Sequence, residues 1–229
     1  MNIFITGASG YIGRPVVAEL LRRGHAVRAL VRPSSIDKLP KGAEAVIGDA
    51  LDASTFAAKI APCDTFIQLV GVAHPSPAKA REFREIDLVS VRESVRAVRD
   101  TTVRHFLYLS VAQPAPVMQE YLAVRAEGER LVRESGLHAT FIRPWYVLGP
   151  GHRWPYLLLP LYWLWSAFPK HRDTARRLYP VKLAEIVQSI CDAAEDLPMR
   201  VRIIEAPEIR GADSPARPDV RSVPAHRPQ

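Results

Sequence analysis

Short apolar runs alternate along this chain with stretches in which apolar positions recur every three or four residues. The runs cover residues 2–6, 26–31, 45–47, 65–70, 105–109 and 139–142. They are mostly continuous rather than alternating, which is the pattern of strands buried on both faces. After the first run, Ile12, Val16, Val17, Leu20 and Leu21 share one helical face, and Gly24 stands where a helix stops. A long charged amphipathic stretch covers about 78–99, and a helix with Leu122, Glu127, Leu131 and Val132 ends near Gly136. Beyond Pro144 the rhythm changes to proline and aromatic residues. Residues 182–195 then read as one helix and 200–204 as a last strand. Strand–helix alternation predicts an α/β fold, with a mostly parallel sheet carrying helices on both faces. Residues 211–229 hold four prolines and no aromatics, and read as a disordered tail. The expected organisation is one domain over 1–210, with 145–205 contributing a small C-terminal substrate lobe.

Composition narrows the function classes. A chain of 229 residues buries roughly 70% of its unfolded surface and needs neither metal nor disulfide to hold it. The two cysteines, Cys63 and Cys191, cannot build a disulfide framework or a zinc site and read as small buried hydrophobes. The histidines lack ligand spacing, so no metal is expected. There is no His-Glu-x-x-His pattern, no Gly-x-Ser-x-Gly elbow and no Walker-type lysine. The first apolar run meets a glycine turn too early for an export signal, and the low cysteine count suits a reducing compartment, so a cytoplasmic protein is expected. The net charge is +7, and a net +4 of it lies between Arg153 and Arg177. That cluster flanks the most apolar segment, the 14 residues from Pro155 to Phe168, too few to span a bilayer. The segment can be a buried helix, the wall of an apolar pocket, or a peripheral membrane or protein contact. No nucleic-acid motif accompanies the basic excess, so nucleic acid is not an expected partner. Oligomeric state is not legible.

The densest information is the stretch Thr6-Gly7-Ala8-Ser9-Gly10-Tyr11-Ile12-Gly13. Its glycines are spaced three apart, where a strand turns into a helix. A glycine takes positive φ in such a turn, absent side chains let a pyrophosphate approach the backbone, and a helix N-terminus offers free amides and partial positive charge. Gly7, Ser9, Gly10, Tyr11, Ile12 and Gly13 are therefore candidate phosphate contacts, with Arg14 just beyond.

Thr6-Gly7-x-x-Gly10-x-x-Gly13 resembles the opening of the atypical and extended short-chain dehydrogenase/reductase families, including the NmrA-like and NAD-dependent epimerase-like NAD(P)-binding proteins. Gly48-Asp49-Ala50-Leu51-Asp52 resembles their adenine-contacting turn, which implies roles for Asp49, Ala50 and Leu51. Ile142-Arg143-Pro144 with Gly149-Pro150-Gly151 resembles their later R-P…G-P segment. These pieces span about residues 1–150 in order. The resemblance implies a Rossmann-type doubly wound sheet, with Val70, Gly71 and Val72 passing under the cofactor and Pro144 near the nicotinamide. His152 follows at the substrate end.

Enzymes preferring NAD place a carboxylate at the end of the second strand. Here that strand ends Leu30-Val31-Arg32-Pro33-Ser34-Ser35. Arg32 can hold a 2′-phosphate bidentately, with Ser34 and Ser35 adding hydrogen bonds, so NADP(H) is expected over NAD(H). Alternatively, Arg32 is a solvated loop residue.

In short-chain reductases a tyrosine gives the proton, a lysine four residues later holds the nicotinamide ribose, and a serine polarises the carbonyl. The resemblance points to Tyr121 and Ser110, but Arg125 stands at the lysine position. Arginine keeps the charge with a different donor array. The sequence thus leaves two readings. One is an NADP(H)-dependent oxidoreductase acting on a small, largely apolar carbonyl-type substrate, with Tyr121, Arg125 and Ser110 as catalytic residues and Arg125 also on the cofactor. The other is a non-catalytic NADP(H)-binding sensor or an accessory subunit of a membrane complex.

Overall fold

A computed structural model describes residues 1–150 and 172–211. Its frame is one seven-stranded sheet. The strands are β1 (Asn2–Thr6), β2 (Ala26–Val31), β3 (Glu44–Ile47), β4 (Thr65–Gln68), β5 (His105–Leu109), β6 (His138–Arg143) and, after two short ones, β9 (Val201–Glu205). Their order is β3-β2-β1-β4-β5-β6-β9, and every neighbouring pair is parallel. The order reverses between β1 and β4, which opens a crevice at the carboxyl ends of those strands.

Helices cover both faces. Helix α1 is Gly13–Arg22. Helix α2 runs through Ala80–Glu82, a π-helical turn at Phe83–Leu88, and Val89–Val98. Helix α3 is Gln119–Glu134, α4 is Arg172–Arg177, α5 is Leu183–Glu195 and α6 is Ala206–Ile209. Strand alternation splits the core in two. Ile3, Ile5, Ile67, Leu107 and Ile142 pack on Val16, Val17 and Leu20 of α1 and on Ile186, Ile190 and Cys191 of α5. Phe4, Phe66, Phe106, Tyr108 and Phe141 face the other way, toward Val91 and Val98 of α2 and Val132 of α3. On that face Phe56, Phe4, Phe66 and Phe106 stack in a row with centroids 5.1–5.9 Å apart, tying three adjacent strands together. Both cysteines are free and buried.

The observed elements lie within a few residues of those expected. The apolar pattern did not show β7 (Val147–Leu148) and β8 (Val181–Lys182), a separate parallel ladder. Two residues per strand are too few to display a period. The 14-residue segment beginning at Pro155, the residue His152 and the tail beyond Gly211 lie outside the described residues. Among the described residues no helix is long and apolar enough to cross a membrane, and no group of three His, Cys, Asp or Glu is placed to hold a metal.

His105, at the start of β5, is 2% exposed, and its Nε2 pairs with Thr140 Oγ1 at 2.9 Å. Burial holds its pKa down at about 4. Unfolded, the imidazole binds a proton near pH 6.5, so between those values the unfolded state carries the extra proton. Stability is therefore lost as the pH falls through that window, by on the order of 3 kcal/mol for this residue. Urea unfolding of wild type and His105→Asn at pH 7 and pH 4 checks this. The wild type should lose about that much more than the variant across the interval. Equal slopes would remove His105 as the cause.

Candidate active site

The glycine turn closes on itself. The Gly10 amide donates to Gly7 O at 3.0 Å and the Arg14 amide to Gly10 O at 3.1 Å. Gly7 has φ +75°, and a Cβ there would stand 2.7 Å from the Leu69 carbonyl carbon. A Cβ on Gly13 would stand 2.1 Å from Gly7 O. The glycines are thus required by backbone packed on backbone. Ile12, at the N-cap of α1, makes no side-chain cap, and the first turn holds no acidic residue. The Val16 amide bonds back to Ile12 O at 3.2 Å and Pro15 has no N–H, so of the first four residues of α1 the Gly13 amide is left to meet an anion from outside. Gly10 is exposed, while Ser9, Tyr11 and Ile12 are partly so. This cradle fits a diphosphate.

At the end of β2 the Arg32 side chain is exposed, and among the described residues it has no partner. Ser34 is exposed. Ser35 is buried, and its amide donates to Arg32 O at 2.9 Å. After β3, Asp49 Oδ1 accepts the Leu51 amide at 2.9 Å and Asp52 Oδ1 accepts the Ser54 amide at 3.0 Å. The Ser54 bonds hold the Asp52 carboxyl below its ordinary range. Both aspartates shape the turn on which Ala50 and Leu51 sit partly buried.

At the end of β4 a buried Gln68 accepts the Val70 amide at 2.5 Å and donates to Ser90 Oγ at 2.8 Å. The Val72 amide donates to Asp87 Oδ2 at 2.9 Å. Asp87 belongs to the π turn of α2 and is fully buried. Its Oδ1 accepts Arg125 Nη2 at 2.6 Å, and Arg125 Nη1 donates to Leu109 O at 2.8 Å. Arg125 is 5% exposed. Burial pushes the Asp87 carboxyl up, against the pull of Arg125. Gly71 lies directly on this pair, since a Cβ there would come within 2.3 Å of Arg125 Nη2.

Tyr121, one turn earlier on α3, is partly buried. Its ring tilts against Phe83 at 4.9 Å, and Arg125 Cζ sits 5.1 Å from its centroid. Burial pushes its phenol up and the Arg125 charge pulls it back. Tyr108, beneath them on β5, is pushed up to about 12 by burial. Ser110 follows β5. Its hydroxyl donates to Glu129 Oε1 at 2.7 Å. Glu129 is 3% exposed and also receives Arg143 Nε at 2.8 Å and Nη2 at 2.6 Å. Pro144, next to Arg143, is buried and accepts the Ala112 amide at 2.9 Å. The candidate residues on β1, β4, β5 and α3 therefore gather at one end of the sheet.

Residues 7–152 match a family model described as NAD(P)H-binding. The chain belongs to this family. Among solved structures it resembles a short-chain dehydrogenase/reductase superfamily protein of Agrobacterium tumefaciens with bound NAD, at a TM-score of 0.65 and 18% identity over 90% of this chain and 77% of that one. It also resembles UDP-glucose 4-epimerase of Thermotoga maritima with UDP-glucose, at 0.65 and 19% over 94% and 84%. Curated relatives include reductases, and also a photosystem II assembly factor of Cyanophora paradoxa, 25% identical over 62% of this chain and 44% of its own. A 4-hydroxy-2-methyl-3-oxo-4-farnesyl-3,4-dihydroquinoline-1-oxide ketoreductase of Stigmatella aurantiaca is 26% identical over 65% of this chain and 51% of its own. The ceramide reductase of Caulobacter vibrioides is 30% identical over 65% and 47%. The chain spans about half the length of these relatives.

Sequence reading of this NAD(P)H-binding chain missed Gln68, Asp87, Tyr108 and Glu129. Two of them left a signal. Asp87 falls between Phe83 and Val91 on the apolar side of its helix, and Glu129 lies four residues beyond Arg125 on the buried side of α3. A carboxylate on a buried stripe implies a cationic partner, but periodicity does not say which.

Proposed function

We propose that this family member is an NADP(H)-dependent oxidoreductase acting on a small, largely apolar carbonyl-type substrate. The observation that carries this reading is the Tyr121–Arg125 pair, set at the carboxyl end of β5 where the Gly71 loop meets it. Reduced nicotinamide bound in such a crevice supplies a hydride. The chain's own part is electrostatic and protonic. The glycine turn and the Gly13 amide hold the diphosphate, and Arg32 meets a 2′-phosphate. Tyr121, whose phenol burial keeps protonated at neutral pH, donates a proton to the oxygen of the reduced carbonyl. Arg125 steadies the negative charge developing beside it. The printed names of the relatives, a ketoreductase of a farnesylated quinoline oxide and a ceramide reductase, support a lipophilic substrate.

One observation favours a second reading, cofactor binding without turnover. The Ser110 hydroxyl donates its hydrogen bond to Glu129 Oε1, and Arg125 directs its two terminal nitrogens to Asp87 and Leu109 O. Titration with NADPH, NADH and their oxidised forms, followed by assay over a carbonyl panel, separates the two. Arg32→Ala should weaken NADPH by roughly tenfold or more, the worth of one charge-assisted contact, and leave NADH nearly unchanged. Equal losses overturn the 2′-phosphate assignment. Tyr121→Phe should cut turnover by roughly a hundredfold or more with cofactor affinity retained. An active Tyr121→Phe protein removes Tyr121 from the acid role.

A further inference from the structure

The π turn at Phe83–Leu88 is a local widening of an otherwise α-helical segment, a feature that recurs at functional sites. It carries a carboxylate, Asp87, with no exposed surface. A buried carboxylate is costly unless every lone pair is used. The two oxygens of Asp87 go to different parts of the site, one to Arg125 on α3 and the other to the Val72 amide on the loop after β4. Gly71 fits between them only because it lacks a side chain.

We propose that Asp87 is a positioning residue, whose carboxylate holds the Arg125 guanidinium and the Val72 amide together and so fixes the cofactor loop relative to Tyr121. It does this through its neighbours rather than by touching a substrate. The inference rests on the reading of Tyr121 as proton donor. Around Tyr121 the charged and titratable groups among the described residues are Arg125 on its own helix, Asp87 on α2 and Tyr108 on β5, with the Arg84–Glu120 pair exposed at the rim. Asp87 offsets the Arg125 charge that Tyr121 feels. An arginine here, unlike a lysine, has a second terminal nitrogen for Leu109 while it stays paired with Asp87.

The test uses full-length protein without cofactor for tyrosine ionisation, followed by ultraviolet absorbance at alkaline pH. Each protein is compared with its Tyr121→Phe counterpart to isolate the Tyr121 step. Asp87→Asn removes the offsetting charge and should bring that step down by about one pH unit. A folded Asp87→Asn protein whose step does not move overturns the proposal. Asp87→Glu keeps the charge but displaces it by one methylene. The Tyr121 step should stay in place, while the Kd for the preferred dinucleotide rises about fivefold or more because the Val72 loop shifts. Should Asp87→Asn fail to fold, Asp87→Glu still decides, since an unchanged Kd overturns the proposal. Should the wild type reduce no carbonyl, the Tyr121 acid reading fails by itself, and the absorbance step and Kd judge Asp87 independently.

Discussion

Gly13→Ala should raise the Kd for a dinucleotide by about a hundredfold or more and lower the Tm. The added Cβ would lie 2.1 Å from Gly7 O and 2.8 Å from the Ala8 Cα. Both obstacles are backbone, so no rotamer change relieves them. Overpacking of this kind costs about 1–3 kcal/mol, or more where nothing can give. The only escape is to open the turn, which would turn the Gly13 amide away from the diphosphate of the proposed cofactor. Losing about 3 kcal/mol of binding corresponds to roughly the stated change in Kd. Gly24→Ala is the matched control. Gly24 has φ +84°, yet an added Cβ meets nothing within 4 Å. That substitution should cost on the order of 1 kcal/mol of stability through backbone strain alone and leave Kd unchanged. Calorimetric titration and thermal unfolding of the two variants check the contrast. Wild-type affinity in Gly13→Ala would end the account of this turn.

Arg125→Met should destabilise the fold by about 3–5 kcal/mol, because it strands a buried carboxylate. Asp87 keeps its bond from the Val72 amide but loses the guanidinium at 2.6 Å. Burial already pushes Asp87 upward, and among the described residues Arg125 is the positive charge that opposes it. A carboxyl whose folded pKa is raised binds its proton more readily folded than unfolded. Stability of the variant should therefore recover as the pH falls below the folded value and worsen as it rises. Urea unfolding between pH 5 and pH 8 measures this. The double variant Arg125→Met with Asp87→Asn, which carries no charge to strand, should regain part of the loss and show a flatter pH dependence. A single variant within 1 kcal/mol of wild type, flat across that range, would contradict a closed Asp87–Arg125 pair.

These two residues also mark how differently the site could be read in advance. Gly13 was legible because its constraint is local. A turn six residues long, between an apolar run and an amphipathic helix, needs glycine at fixed offsets whatever surrounds it. Arg125 was visible as a departure from lysine, but its partners were not. Asp87 is 38 residues away and Leu109 is 16 away. Ser110 shows the same limit. Its place after β5 followed from the strand pattern, whereas its bond to Glu129, 19 residues on, did not. The aspartates of the Gly48–Asp52 turn were singled out by resemblance, and the structure shows each bonded to an amide two residues ahead.

By itself the sequence determined the α/β alternation, the burial of the strands on both faces and the glycine turn between the first strand and the first helix. All of these depend on neighbours within a turn or two of the chain, where periodicity and φ preference act directly. Only the tertiary structure decided that the strands run in the order β3-β2-β1-β4-β5-β6-β9 and that β7 pairs with β8. It also decided that Arg125 answers to Asp87 and Ser110 to Glu129. Those choices belong to side chains that meet only after the sheet has closed. Desolvation then makes each buried charge depend on one distant partner.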